Sequence, residues 1–279
     1  MAVRIVTDSA SDLPQSLCDE LSIDVVPLSI RFGDEEFVDR VELTTDAFWR
    51  KIAGTQQLPE TAAPSVGAFE ETFRRLGDDG ADGIICVNLS AAMSATMQSA
   101  QVAAKALDGI CPTEVFDSKT VSMAQGDLVL HAARRAKEGA DIDTILAELE
   151  DRRGRLKLLA TLDTLEYLRK GGRIGGAQAM LGSMLSIKPV ITVADGIVQP
   201  VGKVRTRSKA LRFIADRLTP GTVEQVYVLH AAAPDIDEFL ALLEPIVPRS
   251  EIMVEQIGPV VGVHAGPRVI AIGWVESAS

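Results

Sequence analysis

Three side chains in this chain of 279 residues have the type and local setting to do chemistry: Thr61, Ser94 and His264. Ser94 follows the continuous apolar run GIICV at 83–87 and the turn-forming Asn88-Leu89-Ser90, and it opens the Ala-rich segment SATMQSAQVAAKAL. That places a hydroxyl at or near a helix start beyond the carboxyl end of a buried strand, where α/β sheets collect anions and ligands. The same serine as an ordinary N-cap would contribute about 1 kcal/mol of stability and no function. His264 lies in GPVVGVHAGP at 258–267, which reads as a tight loop between two closing strands; it is the functional candidate among the three histidines, because His131 sits in a helical pattern and His230 at a strand end. Protonated, it would bring a charge; neutral, it would bring a donor, and an imidazole bonded only to backbone is the structural alternative. Thr61 precedes Pro64 in a constrained loop, where threonine commonly satisfies its own backbone. Ser94 as nucleophile, His264 as base and Asp117 as orienter would make a serine hydrolase, although the sharp nucleophile turn is missing.

Charge supplies a second signal. Residues 152–217 carry fourteen Lys and Arg against four Asp and Glu, a local balance of +10 in a chain with formal net charge −11. Arg173, Lys188, Lys203, Arg205 and Arg207 would form a basic lip. Such a lip attracts an anionic ligand or an acidic partner while the acidic body is repelled by nucleic acid. A solvated surface whose basic residues flank helix ends is the plainer account.

The elements that must position these groups follow from periodicity. A helix is expected over 162–170, stopped by Gly171-Gly172, then a short buried helix over 177–185. Strands over 187–193 and 197–204 flank Asp195-Gly196, a hairpin signal. Upstream, a strand over 3–7 leads to a helix capped by Ser11, strands run over 25–32 and 36–40 around Gly33-Asp34, a helix follows over 45–52, and Ser65 caps a helix reaching 76. Strand and helix alternate from 83 to 153, as in a parallel sheet. The fold expected is α/β in two domains: 1–154 with a mainly parallel sheet flanked by helices, and 155–279 with a mixed sheet, the boundary near Gly154. Helices over 208–218 and 236–246 and strands over 225–230, 252–257 and 268–275 complete the second.

Composition narrows the class. Hydrophobic residues make up 47% and aromatics only 4%, so aliphatic side chains and Met must fill the cores. Cys18, Cys86 and Cys111 are odd in number and lack CxxC spacing, which argues against a disulfide framework or a zinc site. With no apolar signal core and no run approaching 18 apolar residues, a cytoplasmic protein without a membrane span is expected. Phosphate-loop, dinucleotide, zincin and nucleophile-elbow motifs are absent, so no cofactor and no metal is expected.

Taken together, VRIVTDSASDLP, TAAPS at 61–65, SATMQSA from Ser94, VFDSKTVSMAQG, LEYLRKGGRI, LSIKPVI, DGIVQPVGKVRTRSKAL and GVHAGP resemble the DegV family over nearly the whole chain. The resemblance implies a non-enzymatic protein that binds a long-chain fatty acid in a tunnel between or beside two α/β domains. It also implies a possible partner, the separate ATP-dependent subunit of a bacterial fatty acid kinase, to which the carboxylate would be presented. Carried over by position, carboxylate contacts fall on Thr61, Ser94, Ala95 and His264. This sequence departs from the family pattern at Ala62, Ala63 and Ala95, which remove polar groups and add a Cβ beside the headgroup. Met93, Met97, Met180 and Met184 offer soft walls for an acyl chain, or plain core filling. An interaction protein that docks an acidic partner on the basic lip, with no ligand, is a further alternative.

Overall fold

The computed structural model describes residues 3–278 except 56 and 108–110, with backbone only at 182–186. The first strands and helices are β1 (Val3–Asp8), α1 (Gln15–Leu21), β2 (Ile23–Val26), β3 (Ser29–Phe32), β4 (Glu35–Val38), α2 (Thr45–Ala53), β5 (Glu60–Ala62), α3 (Val66–Asp78) and β6 (Gly83–Asn88). Next come α4 (Thr96–Ala106), β7 (Thr113–Asp117), α5 (Met123–Lys137) and α6 (Ile142–Arg155). The chain continues through β8 (Leu156–Thr161), α7 (Glu166–Lys170), β9 (Lys188–Ala194), β10 (Ile197–Val204), α8 (Arg207–Ala215) and β11 (Val223–His230). It closes with α9 (Ile236–Leu243), β12 (Ile252–Gln256), α10 (Pro259–Ala265) and β13 (Ile270–Glu276).

The protein is α/β. A parallel sheet in the order β2-β1-β6-β7 occupies the first half, and a mixed sheet in the order β10-β9-β8-β13-β11-β12 the second. The all-buried β6 explains the unbroken GIICV run, since a central parallel strand is covered on both faces. A small antiparallel sheet, β4-β3-β5, packs against α10 through β3 and β5. The strand expected over 25–32 splits at Pro27, which has no N–H for a ladder, so β2 and β3 join different sheets.

Other expectations shift for local reasons. Ser11 does not cap α1: it lies in a 3-10 turn over Ser9–Ser11, its buried hydroxyl without a partner among the described residues, and Pro14 precedes the helix. The helix expected over 162–170 shortens to α7, and the apolar stretch after it winds as 3-10 helix over Gly175–Ser186. Gly154 lies inside α6, which passes directly into β8 with no linker. The largest hydrophobic cluster takes in side chains from both sides of that junction, among them Ile5, Phe48, Leu158 and Tyr227. The sheets therefore share packed surface, and a cleft lined by both is where a cavity can form.

Candidate functional site

The segment 258–267 is not a loop. Pro259 stands at the first helical position and Gly266, with φ +78°, ends the turn, so the sequence carries start and stop signals for the seven-residue α10. His264 is in its last turn, and α10 packs against α2, α7, β3 and β5. Thr61 is on β5, opposite Ile30 of β3, rather than in a loop. These two elements bring Thr61 Oγ1 within 2.9 Å of His264 Nε2, across 203 residues of sequence.

Gly171 closes the other side of the imidazole. A Cβ there would come 2.3 Å from His264 Nδ1, so only glycine admits the ring. Among the described residues, the buried Nδ1 has no hydrogen-bond partner. An orphaned N–H costs more than an orphaned lone pair, which assigns the proton to Nε2. Nε2–H then donates to Thr61 Oγ1, and the threonine hydroxyl keeps its own proton to donate elsewhere. Burial, assisted by the Arg173 cation, lowers the His264 pKa to about 4, so near neutrality the ring is an uncharged donor. The charged alternative raised from sequence is thereby set aside for the ligand-free protein.

Ser94 sits one residue ahead of the α4 N-cap, which is Ala95. Its Oγ shares a 2.8 Å hydrogen bond with Thr96 Oγ1 and accepts from Thr96 N at 3.3 Å. Arg173 ties the Ser94 loop to the Gly171 turn: Nε donates to Met93 O at 3.1 Å and Nη1 to Gly171 O at 2.7 Å. Thr61, His264, Ser94, Arg173, Ser122 and Thr192 all line one cavity whose remaining walls are apolar, including Leu28, Leu158, Ile191, Val260 and Val269. The centre of a water molecule can move through about 110 Å³ of it. Donors gathered at one side of an apolar chamber suit an amphiphile with an anionic head.

The structure sorts the remaining sequence candidates. Met93 lines the cavity, whereas Met97 and the exposed Ala95 face a separate outer depression beside Asp117. Met180 is core filling at 2% exposure, and the Met184 side chain lies outside the described residues. The cavity walls come instead from β8, β9 and α10. The hydrolase arrangement is not assembled: His264 bonds Thr61, Ser94 bonds Thr96, and Asp117 Oδ1 accepts from Ala91 N and Lys119 N. The basic stretch is largely answered by acids. Lys188 pairs with Asp163 at 2.7 Å, and Arg207 is held by both oxygens of Asp235. Arg173 belongs to the cavity; Arg205 and Lys203 are exposed on or just after β10. Sequence reasoning missed Ser122 and the place of Arg173 beside the cavity, since neither lies near Thr61, Ser94 or His264 in the chain.

Among the described residues no helix is long and apolar enough to cross a membrane, and no group of three or more potential metal-ligating side chains occurs. The sequence profile of an uncharacterised protein family, the DegV family, matches residues 2–277. A DegV domain-containing protein of Halalkalibacterium halodurans is 36% identical over 98% of both chains. Among solved structures, a DegV family protein from Thermus thermophilus described for its fatty acid binding superposes with TM-score 0.92 at 32% identity, over 99% of this chain and 100% of that one. A stearic acid-binding protein from Eubacterium ventriosum superposes with TM-score 0.87 at 26% identity over 98% of each.

Proposed function

This chain belongs to the DegV family, and from that premise we propose that it binds one long-chain fatty acid, with the acyl chain in the apolar cavity and the carboxylate at its polar side. The observation that carries this is the coupled Thr61–His264 pair set in an otherwise apolar chamber. Thr61, Ser94 and Arg173 offer two hydroxyl protons and a guanidinium to one carboxylate, and charge-assisted bonds of this kind are the strong ones. Ala95 adds at most a backbone N–H, because its side chain is exposed. Each buried methylene contributes about 0.8 kcal/mol, so a long chain supplies on the order of 10 kcal/mol before ordering costs. The departures at Ala62, Ala63 and Ala95 leave the paired Thr61 and His264 intact.

Mass analysis of an organic extract from the purified protein is the direct test. A stoichiometric long-chain acid is the expected result; extracts without lipid, together with no uptake of added palmitate, would remove the proposal. As a ligand carrier the protein is not itself an enzyme. We further propose that it hands the carboxylate to a separate ATP-dependent kinase subunit, with the exposed Arg205 on the docking face and residues 1–154 and 155–279 acting as two domains that clasp the ligand. Lys188 and Arg207 are left out of that face because their charges are already matched.

A further inference from the structure

We propose that Asp12 is a positioning residue for this pocket: its ionised carboxylate holds the first turn of α10 and the backbone at Ser122 in the arrangement that receives the ligand. Asp12 follows β1 with its own backbone in the left-handed region, φ 53°. This aims the carboxylate away from its strand and across to two other parts of the wall. Oδ1 accepts from Gly258 N at 3.1 Å, at the residue preceding α10, and Oδ2 accepts from the Ser122 hydroxyl. A Cβ on Gly258 would lie 2.5 Å from Oδ1, so that position is open only to glycine. Ser122 has φ 62° and ψ −151°, costly for any residue with a side chain, and it is held there by Asp12 and by its amide bond to Ala10 O at 2.8 Å. Both gripped segments line the cavity, Ser122 directly and α10 through Val260, Val261 and His264.

Maintaining that grip has a pH limit. Withdrawal from water is the largest cause raising Asp12 to about 7, with the Ser122 and Gly258 bonds opposing it. The charged groups acting on it are Asp39, which raises it, and Arg40, which lowers it; α5 and α10 present only the Ser122 hydroxyl and the Gly258 amide. His264 stays neutral through this range, and the carboxylate of a fatty acid stays ionised. Ligand that fixes α10 and Ser122 favours ionised Asp12, and by reciprocity a proton on Asp12 weakens ligand. A one-unit fall in the Asp12 pKa on binding corresponds to about a tenfold change in affinity across the window.

The inference rests on the fatty acid reading of the pocket, and the experiment separates the two. Decanoate affinity is measured by calorimetry from pH 8 to 6, beside the Gly258 amide resonance of ligand-free, ¹⁵N-labelled protein. The amide should titrate with a midpoint near 7, and decanoate should bind about fivefold more weakly at pH 6 than at pH 8, the part of that tenfold limit that falls between these two pH values. Asp12→Asn should bind at the weak level throughout, with no slope. Asp39→Asn should keep the slope and move its midpoint toward acid, since one repelling charge is gone. A Gly258 amide that does not titrate in the wild type, or a slope that survives in Asp12→Asn, overturns the proposal without any demand on variant folding. If the amide titrates but decanoate binds at no pH, the fatty acid reading fails while the Asp12 grip stands.

Discussion

Two buried polar clusters lie where the halves of this protein meet, and they are built to opposite rules. In the first, Asp127 of α5 takes a bidentate bond from Arg152 of α6, 2.6 and 2.8 Å, and a third from the Tyr227 hydroxyl of β11. Arg152 and Arg155 then share Glu224. Every charge there is matched, and burial with the neighbouring carboxylate holds the Tyr227 hydroxyl far above its ordinary range. The second cluster adjoins the cavity through Ser122 and α10. Among the described residues neither carboxylate oxygen of Asp39 makes a well-formed hydrogen bond, Ser9 and the Arg40 amide giving it only weak support against desolvation; the Ser11 hydroxyl and His264 Nδ1 have no partner, and the Asp39 charge raises the Asp12 pKa. A satisfied network fixes one arrangement of the halves; an unsatisfied one retains groups that have something left to bond or a proton left to exchange.

The harshest way to break this contrast is Asp127→Ala, which leaves the buried Arg152 guanidinium with Glu224 as its one acid and takes the acceptor from the Tyr227 hydroxyl. A loss of about 3–5 kcal/mol in urea unfolding is expected, with fatty acid affinity of the folded fraction unchanged. An affinity loss as large as the stability loss would show that the paired cluster also shapes the pocket. Thr61→Ala and His264→Ala should do the reverse. Each should weaken palmitate binding by about 1.5–3 kcal/mol while shifting unfolding little, because the polar atoms they leave face a chamber rather than packed core. Wild-type affinity in both variants would reduce the pair to structural bonding.

A gain in stability should come from Asp39→Asn. Burial raises the Asp39 pKa to about 6, above the unfolded value. Between roughly pH 4 and 6 the folded state therefore binds more protons than the unfolded chain, and wild-type stability contributed by this residue falls as pH rises. The variant should exceed wild type by up to about 3 kcal/mol at pH 8, and the excess should vanish by about pH 4. A variant less stable at pH 8 would mean that the charge is compensated after all. The mildest test lies outside both clusters: Arg205→Glu should change stability by less than about 0.5 kcal/mol and leave lipid content intact. It should slow acyl phosphorylation by an added kinase partner, most at low salt. Lost lipid with normal partner kinetics would move Arg205 from the rim to the ligand.

Much of the fold was legible because its signals are local. GIICV, the Ser65 cap whose Oγ accepts from Ala68 N, and the Asp195-Gly196 turn each act within a few residues, and each appears as expected. The errors occurred where two local signals competed. Gly258-Pro259 and Gly266-Pro267 read as loop residues, yet the same pairs start and stop α10. Local charge density misled for a related reason: a sum over 152–217 counts Asp163 without showing that it pairs with Lys188, 25 residues further on, and stops short of Asp235, which pairs with Arg207.

By itself the sequence determined the α/β alternation, the buried parallel strand, the family, and Thr61, Ser94 and His264 as residues of interest, because composition, spacing and motif order are properties of a linear string. Only the tertiary structure decided that His264 is neutral and bonded to Thr61, that Arg173 faces the cavity, and that Asp12 holds Gly258 across 246 residues. Those facts depend on burial and on contacts between distant segments. Desolvation and hydrogen bonding take their values from whatever the fold brings within a few ångströms, which no stretch of sequence contains.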